Sequence, residues 1–190
     1  MKLFYDLEIA KLMLINFDSR YPNLQYCDGW DDFKGMGISC VGFALNYDDA
    51  IAEPYPSERF IEMVTSGDYE VIGFNSNSFD DQLLRANGIN IQSTDLLSMI
   101  RLVAYGSTNW EDQPRGYSYK LDSLARANGI PPKTGTGELA PVLWQLGKHQ
   151  QVLDYCAHDV DILRKLYHQF ITVGIFDPNT SELLRWGGDK

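Results

Sequence analysis

The sequence predicts an α/β fold, a mixed central sheet with helices packed on it. The chain opens on an apolar strand, Lys2–Ala10 (KLFYDLEIA). Strand and helix patterns then alternate, and the second half carries an amphipathic helix over Gln150–Phe170. Strands first, then alternating helices and strands, give a sheet covered by helices. No internal repeat, low-complexity tract or linker interrupts the pattern, so one domain over residues 1–190 is expected.

In the first strand, residues two apart share a face. Phe4, Asp6 and Glu8 therefore line one side, and Leu3, Tyr5, Leu7 and Ile9 the other. Ser19–Gly37 is polar and aromatic and reads as a loop. Ile38–Leu45 is an apolar, partly β-branched strand, and Asn46–Asp49 turns the chain toward an antiparallel partner at Ala50–Tyr55. Ser57 is an N-cap, with Phe60, Ile61 and Val64 as the buried stripe of a helix that Gly67 ends. Glu70–Phe74 is a short buried strand, followed by the loop Asn75–Phe79 and a helix over Asp80–Ala86 that stops at Asn87–Gly88. Thr94–Ala104 is a further apolar stretch, Tyr105–Tyr119 a polar loop, and Lys120–Ala127 a short helix closed by Asn128–Gly129. Pro131–Gly137 reads as a loop and Leu139–Leu146 as another apolar turn or two. In the long helix, Val152, Cys156, Val160, Leu163, Tyr167 and Phe170 recur at steps of four, four, three, four and three, which is helical period.

Hydrophobic residues make up 44% of the chain and aromatics 13%, as in a globular protein and not a disordered one. The formal net charge of −10 argues against tight, non-specific binding to a nucleic-acid backbone. It leaves room for a nucleic-acid enzyme, because bound divalent cations reverse the local field. Cys27, Cys40 and Cys156 form neither a disulfide framework nor a zinc pattern, which favours a reducing compartment. No signal peptide and no membrane-spanning run is read, so a soluble, intracellular, cytoplasmic protein is expected.

The acids carry the chemistry. Asp6 and Glu8 on one face of a buried strand would repel each other and lose hydration unless a cation lay between them; a wet edge strand is the alternative. Tyr155 and Asp159 lie four apart on one face of the long helix, and Asp80 begins a helix directly after a buried strand. If these converge, four carboxylates share a cleft. Oxygen ligands without paired Cys or His favour Mg²⁺ or Mn²⁺. Two such ions clamp in-line attack on a phosphodiester.

DLE at Asp6–Glu8, NSNSFD at Asn75–Asp80 and YCAHD at Tyr155–Asp159 resemble the three motifs of the DEDD 3′–5′ exonucleases. The last fits the tyrosine pattern Y-x3-D, whereas Asp154 stands where the histidine pattern needs His. GFNSNSFDDQLL and YCAHDVDIL are closest in style to the proofreading exonuclease domains of family B DNA polymerases, and LDSLA at Leu121–Ala125 resembles the segment between the second and third motifs. The resemblance spans roughly residues 2–170. It implies a ribonuclease-H-like (DnaQ-like exonuclease) fold and removal of nucleotides, one at a time, from the 3′ end of single-stranded or frayed DNA. It also implies two divalent ions, Mg²⁺ or Mn²⁺, held by Asp6, Glu8, Asp80 and Asp159, with Tyr155 positioning the attacking water. Leu7, Asn75 and Phe79 would border the 3′ end of the substrate.

The remaining polar residues have plainer readings. Asp81 reads as the acid of the helix terminus, His158 as helix surface, Asp161 as solvated, and KTGTG at Lys133–Gly137 as a flexible loop. Trp110, Arg115, Tyr117, Tyr119 and Lys120 either stack bases and contact phosphate or cover the sheet edge. An RNase D-like exoribonuclease is the alternative activity, and a catalytically silent binding module on the same fold the alternative class. A replication or repair protein partner is a further expectation.

Overall fold

The computed structural model describes residues 1–14, 21–133, 135 and 137–187. In chain order its strands are β1 (Lys2–Ile9), β2 (Leu12–Met13), β3 (Tyr26–Cys27), β4 (Ile38–Leu45), β5 (Ile51–Pro54), β6 (Glu70–Gly73), β7 (Thr94–Asp95), β8 (Ile175–Phe176) and β9 (Leu183–Leu184). Its helices are α1 (Phe33–Met36), α2 (Glu58–Ser66), α3 (Asp80–Ala86), α4 (Leu96–Tyr105), α5 (Leu121–Ala127), α6 (Ala140–Gln145) and α7 (His149–Thr172).

The main sheet has the order β5-β4-β1-β6-β7. β1 runs antiparallel to β4 and parallel to β6, and β7 extends the parallel side. The opening strand is thus the central one, and the wet-edge alternative falls. Both its faces are covered. Leu3, Tyr5, Leu7 and Ile9 pack with Val41, Phe43, Phe60, Leu83 and Leu84, whereas Phe4 joins Ile100, Val160, Leu163 and Phe170 on the other side. Each such side chain, fully buried, contributes roughly 1.5–3 kcal/mol relative to exposure.

α7 crosses the face of β1 and β4 that carries Asp6 and Glu8. Gly42, opposite Asp6 in the β1–β4 register, sets how closely it approaches. A Cβ at Gly42 would lie 2.9 Å from the Cys156 carbonyl oxygen and 2.9 Å from Val160 Cγ2. The missing side chain lets the helix backbone rest on the sheet, bringing its polar residues to the acids of β1.

The local signals place the remaining elements. Ser57 accepts from the Phe60 amide at 3.1 Å, and Gly67 ends α2 with φ 80°. Part of Ser19–Gly37, expected as a loop, forms β3 and α1, with β3 pairing in parallel with β2. The loop Tyr105–Tyr119 is largely structural. Tyr119 is buried and donates its hydroxyl to Asp177 Oδ2 at 2.8 Å, and Tyr105 and Tyr117 pack against the same core. The β8–β9 hairpin, absent from the sequence reading, buries Ile175 and Leu184 there. Among the described residues no helix is long and apolar enough to cross a membrane.

Candidate metal centre

β1 continues past the end of β6. Their pairing runs only from Lys2↔Glu70 to Phe4↔Ile72, which leaves the Leu7 amide without a strand partner on that side. Asp80 takes its place, with Oδ1 accepting from the Leu7 amide at 3.2 Å. The bond ties the start of α3 to the strand carrying Asp6 and Glu8. The Leu7 side chain points to the opposite core and is 5% exposed.

The loop before Asp80 is held from behind. Asp95 caps α4 through the Leu97 amide (2.9 Å) and also accepts from the Asn75 amide at 2.8 Å. Asn75 has φ 59°, a left-handed conformation that Asn tolerates better than most residues. Asp81, read as the acid of the helix terminus, stands in the first turn of α3 and is buried. It accepts from the Tyr5 hydroxyl, from the Ser93 amide at 3.1 Å and from the Ser93 hydroxyl at 3.2 Å. The helix begins with one acid turned to each side: Asp80 to β1, Asp81 into this polar network.

α7 brings Tyr155 and Asp159 to the same place, one turn apart and both buried. Asp159 is 1% exposed. Its Oδ2 pairs with the Lys133 ammonium, while its Oδ1 is buried without a hydrogen-bond partner among the described residues. Lys133 Nζ also donates to the Tyr155 hydroxyl at 3.2 Å. Lys133 therefore corrects the reading of KTGTG as a plain flexible loop; Thr134 and Thr136 of that stretch lie outside the described residues. The Lys133 amide donates to Asp122 Oδ1 at 3.0 Å, and a His158 ring nitrogen lies 2.9 Å from the Pro132 carbonyl. His158 thus fastens this loop to α7 and is not simply helix surface. Asp161, read as solvated, pairs with Arg164 and Lys165.

Phe79, just before Asp80, meets Phe33 and Trp30 edge-to-face, with ring centroids 5.9 and 6.4 Å away. Trp30 is 61% exposed on a loop that Asp32 pins through the Asp28 and Gly35 amides at 3.0 and 2.9 Å. An apolar ring held outward beside the acids is a surface on which a flat group can stack.

The electrostatics are those of too many acids in too little water. Burial, then the Asp159 charge, pushes the Asp6 carboxyl up to about 7 against the pull of Lys133. Burial and the charge of Asp6 hold Glu8 and Asp80 well above the usual carboxylate range. Asp159 is raised by burial even with Lys133 beside it. Burial alone would lower the Lys133 ammonium, but Asp159 and Asp6 more than reverse that and keep it charged. Burial and Asp159 raise the Tyr155 phenol, so it stays neutral and acts as a hydrogen-bonding group. One lysine among four acids leaves a deficit of positive charge.

The residues present can hold a metal ion: ligand atoms of Asp6, Glu8 and Cys156 all lie within 4.8 Å of one another. Sequence reading placed Asp6, Glu8, Asp80, Tyr155 and Asp159 here by motif, but missed Lys133, Trp30 and Cys156. Lys133 has no local signal, DGWDD around Trp30 reads as a turn, and Cys156 was absorbed into the apolar stripe.

No protein-family model and no curated protein matches the sequence. Among solved structures, the chain is similar to the family B DNA polymerase from the hyperthermophilic archaeon Pyrobaculum calidifontis, with a TM-score of 0.56 and 14% identity. The match covers 87% of this chain and 23% of the polymerase. At that identity the likeness is one of fold. The five-stranded mixed sheet flanked by helices is compatible with a ribonuclease-H-like fold.

Proposed function

We propose that this chain is a metal-dependent 3′–5′ exonuclease of the tyrosine-type DEDD class, acting on single-stranded or frayed DNA. What supports the reading is Asp6 and Glu8 close enough to share an ion, Asp80 bonded to the Leu7 amide between them, and a buried, unpartnered oxygen on Asp159, whose charge raises both strand acids. Asp6, Glu8 and Asp159 would hold one ion, with Asp6 shared toward a second beside Asp80. Bound there, Mg²⁺ or Mn²⁺ supplies positive charge to the attacking water and the leaving oxygen of a phosphodiester.

The protein's own groups set the geometry. Tyr155 sits one turn from Asp159, and Lys133 donates into its phenol oxygen, which fixes the hydroxyl beside that acid. Its raised pKa makes Tyr155 an orienting group and not a base. Phe79 and Trp30 give the terminal bases an apolar face, and the Asn75–Phe79 loop, held by Asp95, borders the 3′ end beside the Leu7 main chain. The preference for DNA rests on motif style, with RNA as the alternative substrate.

The test is a gel assay of 5′-labelled single-stranded DNA and RNA with Mg²⁺, Mn²⁺ or EDTA, run beside Asp6→Ala and Asp159→Ala. The expected result is a metal-dependent ladder of 3′-shortened DNA that both substitutions abolish. Folded wild-type protein that leaves every substrate intact would favour a silent binding module, and a ladder that survives both substitutions would place the active site elsewhere.

A further inference from the structure

We propose that Cys156 joins Asp6 and Glu8 in a three-ligand site for thiophilic cations such as Zn²⁺ and Cd²⁺, which take these two acids from the catalytic ions and switch the enzyme off. The inhibition rests on the exonuclease reading; the binding does not.

Cys156 is fully buried, next in sequence to Tyr155, and lies against β1. Its Sγ donates to the Asp6 carbonyl at 3.5 Å and lies 3.9 Å from Asp6 Oδ2. Cys40, opposite Glu8 in the β1–β4 register, packs with Cys156 in one buried cluster. Gly42 allows this approach, since a Cβ there would stand 3.0 Å from Sγ.

The dimensions suit a small cation. Three atoms no more than 4.8 Å apart share a centre about 4.8/√3, or about 2.8 Å, from each. Zinc bonds run to roughly 2.3 Å for sulfur and 2.0–2.2 Å for carboxylate oxygen. A contraction of about half an ångström, within reach of small side-chain rotations, therefore brings Asp6, Glu8 and Cys156 into its shell. Asp159, with its Oδ1 buried and unpartnered, lies one helical turn from Cys156 on α7 and adds negative charge to the centre.

Ion chemistry then sorts the outcome. Mg²⁺ demands an octahedral shell of oxygens and keeps several waters, so it takes the carboxylates and leaves the thiol alone. Zn²⁺ and Cd²⁺ accept thiolate; on binding, the S–H bond breaks, a metal–sulfur bond forms, and the proton leaves to solvent. Drawn into that shell, Asp6 and Glu8 are withheld from the Mg²⁺ or Mn²⁺ that the reaction uses. The residue that makes the site tight for zinc is the one that makes it inert.

The experiment uses the full chain. X-ray absorption of the Zn²⁺-loaded wild type should show one sulfur beside oxygen donors in the first shell. Titration with Cd²⁺ should produce the ultraviolet thiolate charge-transfer band, which Zn²⁺ bleaches and millimolar Mg²⁺ does not. Cys156→Ser should lose the band and weaken Zn²⁺ by at least roughly tenfold, whereas Cys40→Ser and Cys27→Ser should keep it. A sulfur-free zinc shell in the wild type overturns the proposal without recourse to any variant. So does a band that survives Cys156→Ser or disappears with Cys40→Ser. A Cys156-dependent band in a protein inactive with both Mg²⁺ and Mn²⁺ upholds the metal site and removes the exonuclease reading. Activity that Zn²⁺ leaves untouched, in a protein with that band, overturns the inhibition.

Discussion

Adding Mn²⁺ should stabilise this protein far more at pH 8 than at pH 5.5, by an amount that follows from Asp6. Its carboxyl is pushed up to about 7 in the folded protein, from an ordinary value of 3.8. Between those values the folded state binds more protons than the unfolded one, so metal-free stability falls as pH rises through that window and levels off above it. The span of about three units sets an upper bound of about 4 kcal/mol. An incoming cation must displace that proton. At pH 8 about 90% of Asp6 is ionised and at pH 5.5 about 3%, an affinity difference of roughly thirtyfold or about 2 kcal/mol. Mn²⁺ at a hundred times its pH 8 dissociation constant then contributes about 2.7 kcal/mol, against about 0.9 kcal/mol for the same concentration at pH 5.5. For a chain of this size those become Tm rises of roughly 5–10 °C and about 2–3 °C. Thermal melts at the two pH values, with and without Mn²⁺, read the difference directly. Equal shifts at both, or a full shift retained in Asp6→Asn and Asp159→Asn, would refute the reasoning.

Three further outcomes test other parts of the structure. Lys133→Met leaves Asp159 buried without its counter-charge and should cost about 2–4 kcal/mol in urea melts at pH 8 without metal; the low side applies because the lysine side chain is 26% exposed, and Mn²⁺ should restore most of the loss. Gly42→Ala forces a methyl against the Cys156 carbonyl, so α7 must move; about 1–3 kcal/mol of stability and most nuclease activity should go together, and wild-type activity in the variant would mean Asp159 does not depend on that close approach. Trp30→Ala should leave stability within about 0.5 kcal/mol but weaken single-stranded DNA by about 1–3 kcal/mol in fluorescence anisotropy; the reverse pattern would make Trp30 a structural residue.

The parts of the site legible in the sequence are those set by local geometry. Alternation along β1 put Asp6 and Glu8 on one face, and helical period put Tyr155 beside Asp159, because both spacings are properties of a single element. The caps at Ser57 and Gly67 were readable for the same reason, since their partners lie within a turn. Even there, face was easier to read than environment. The alternation of β1 fits an edge strand and a central one alike, and only pairing with β4 and β6 decided that its acids sit on the central strand.

What joins different elements was decided by the tertiary structure. Lys133 lies 26 residues before Asp159, and nothing in KTGTG says which buried charge its ammonium meets. Asp81 and Asp80 are adjacent acids of one helix start, yet Tyr5 and Ser93 claim the first and the Leu7 amide the second. Cys156 is indistinguishable by periodicity from its apolar neighbours, and its thiol became a candidate ligand only when Gly42 let the helix settle on β1. Sequence by itself determined which side chains share a face. The meeting of faces depends on distances through space between elements far apart in the chain, and those distances exist only once the sheet, its covering helix and the intervening loops have packed.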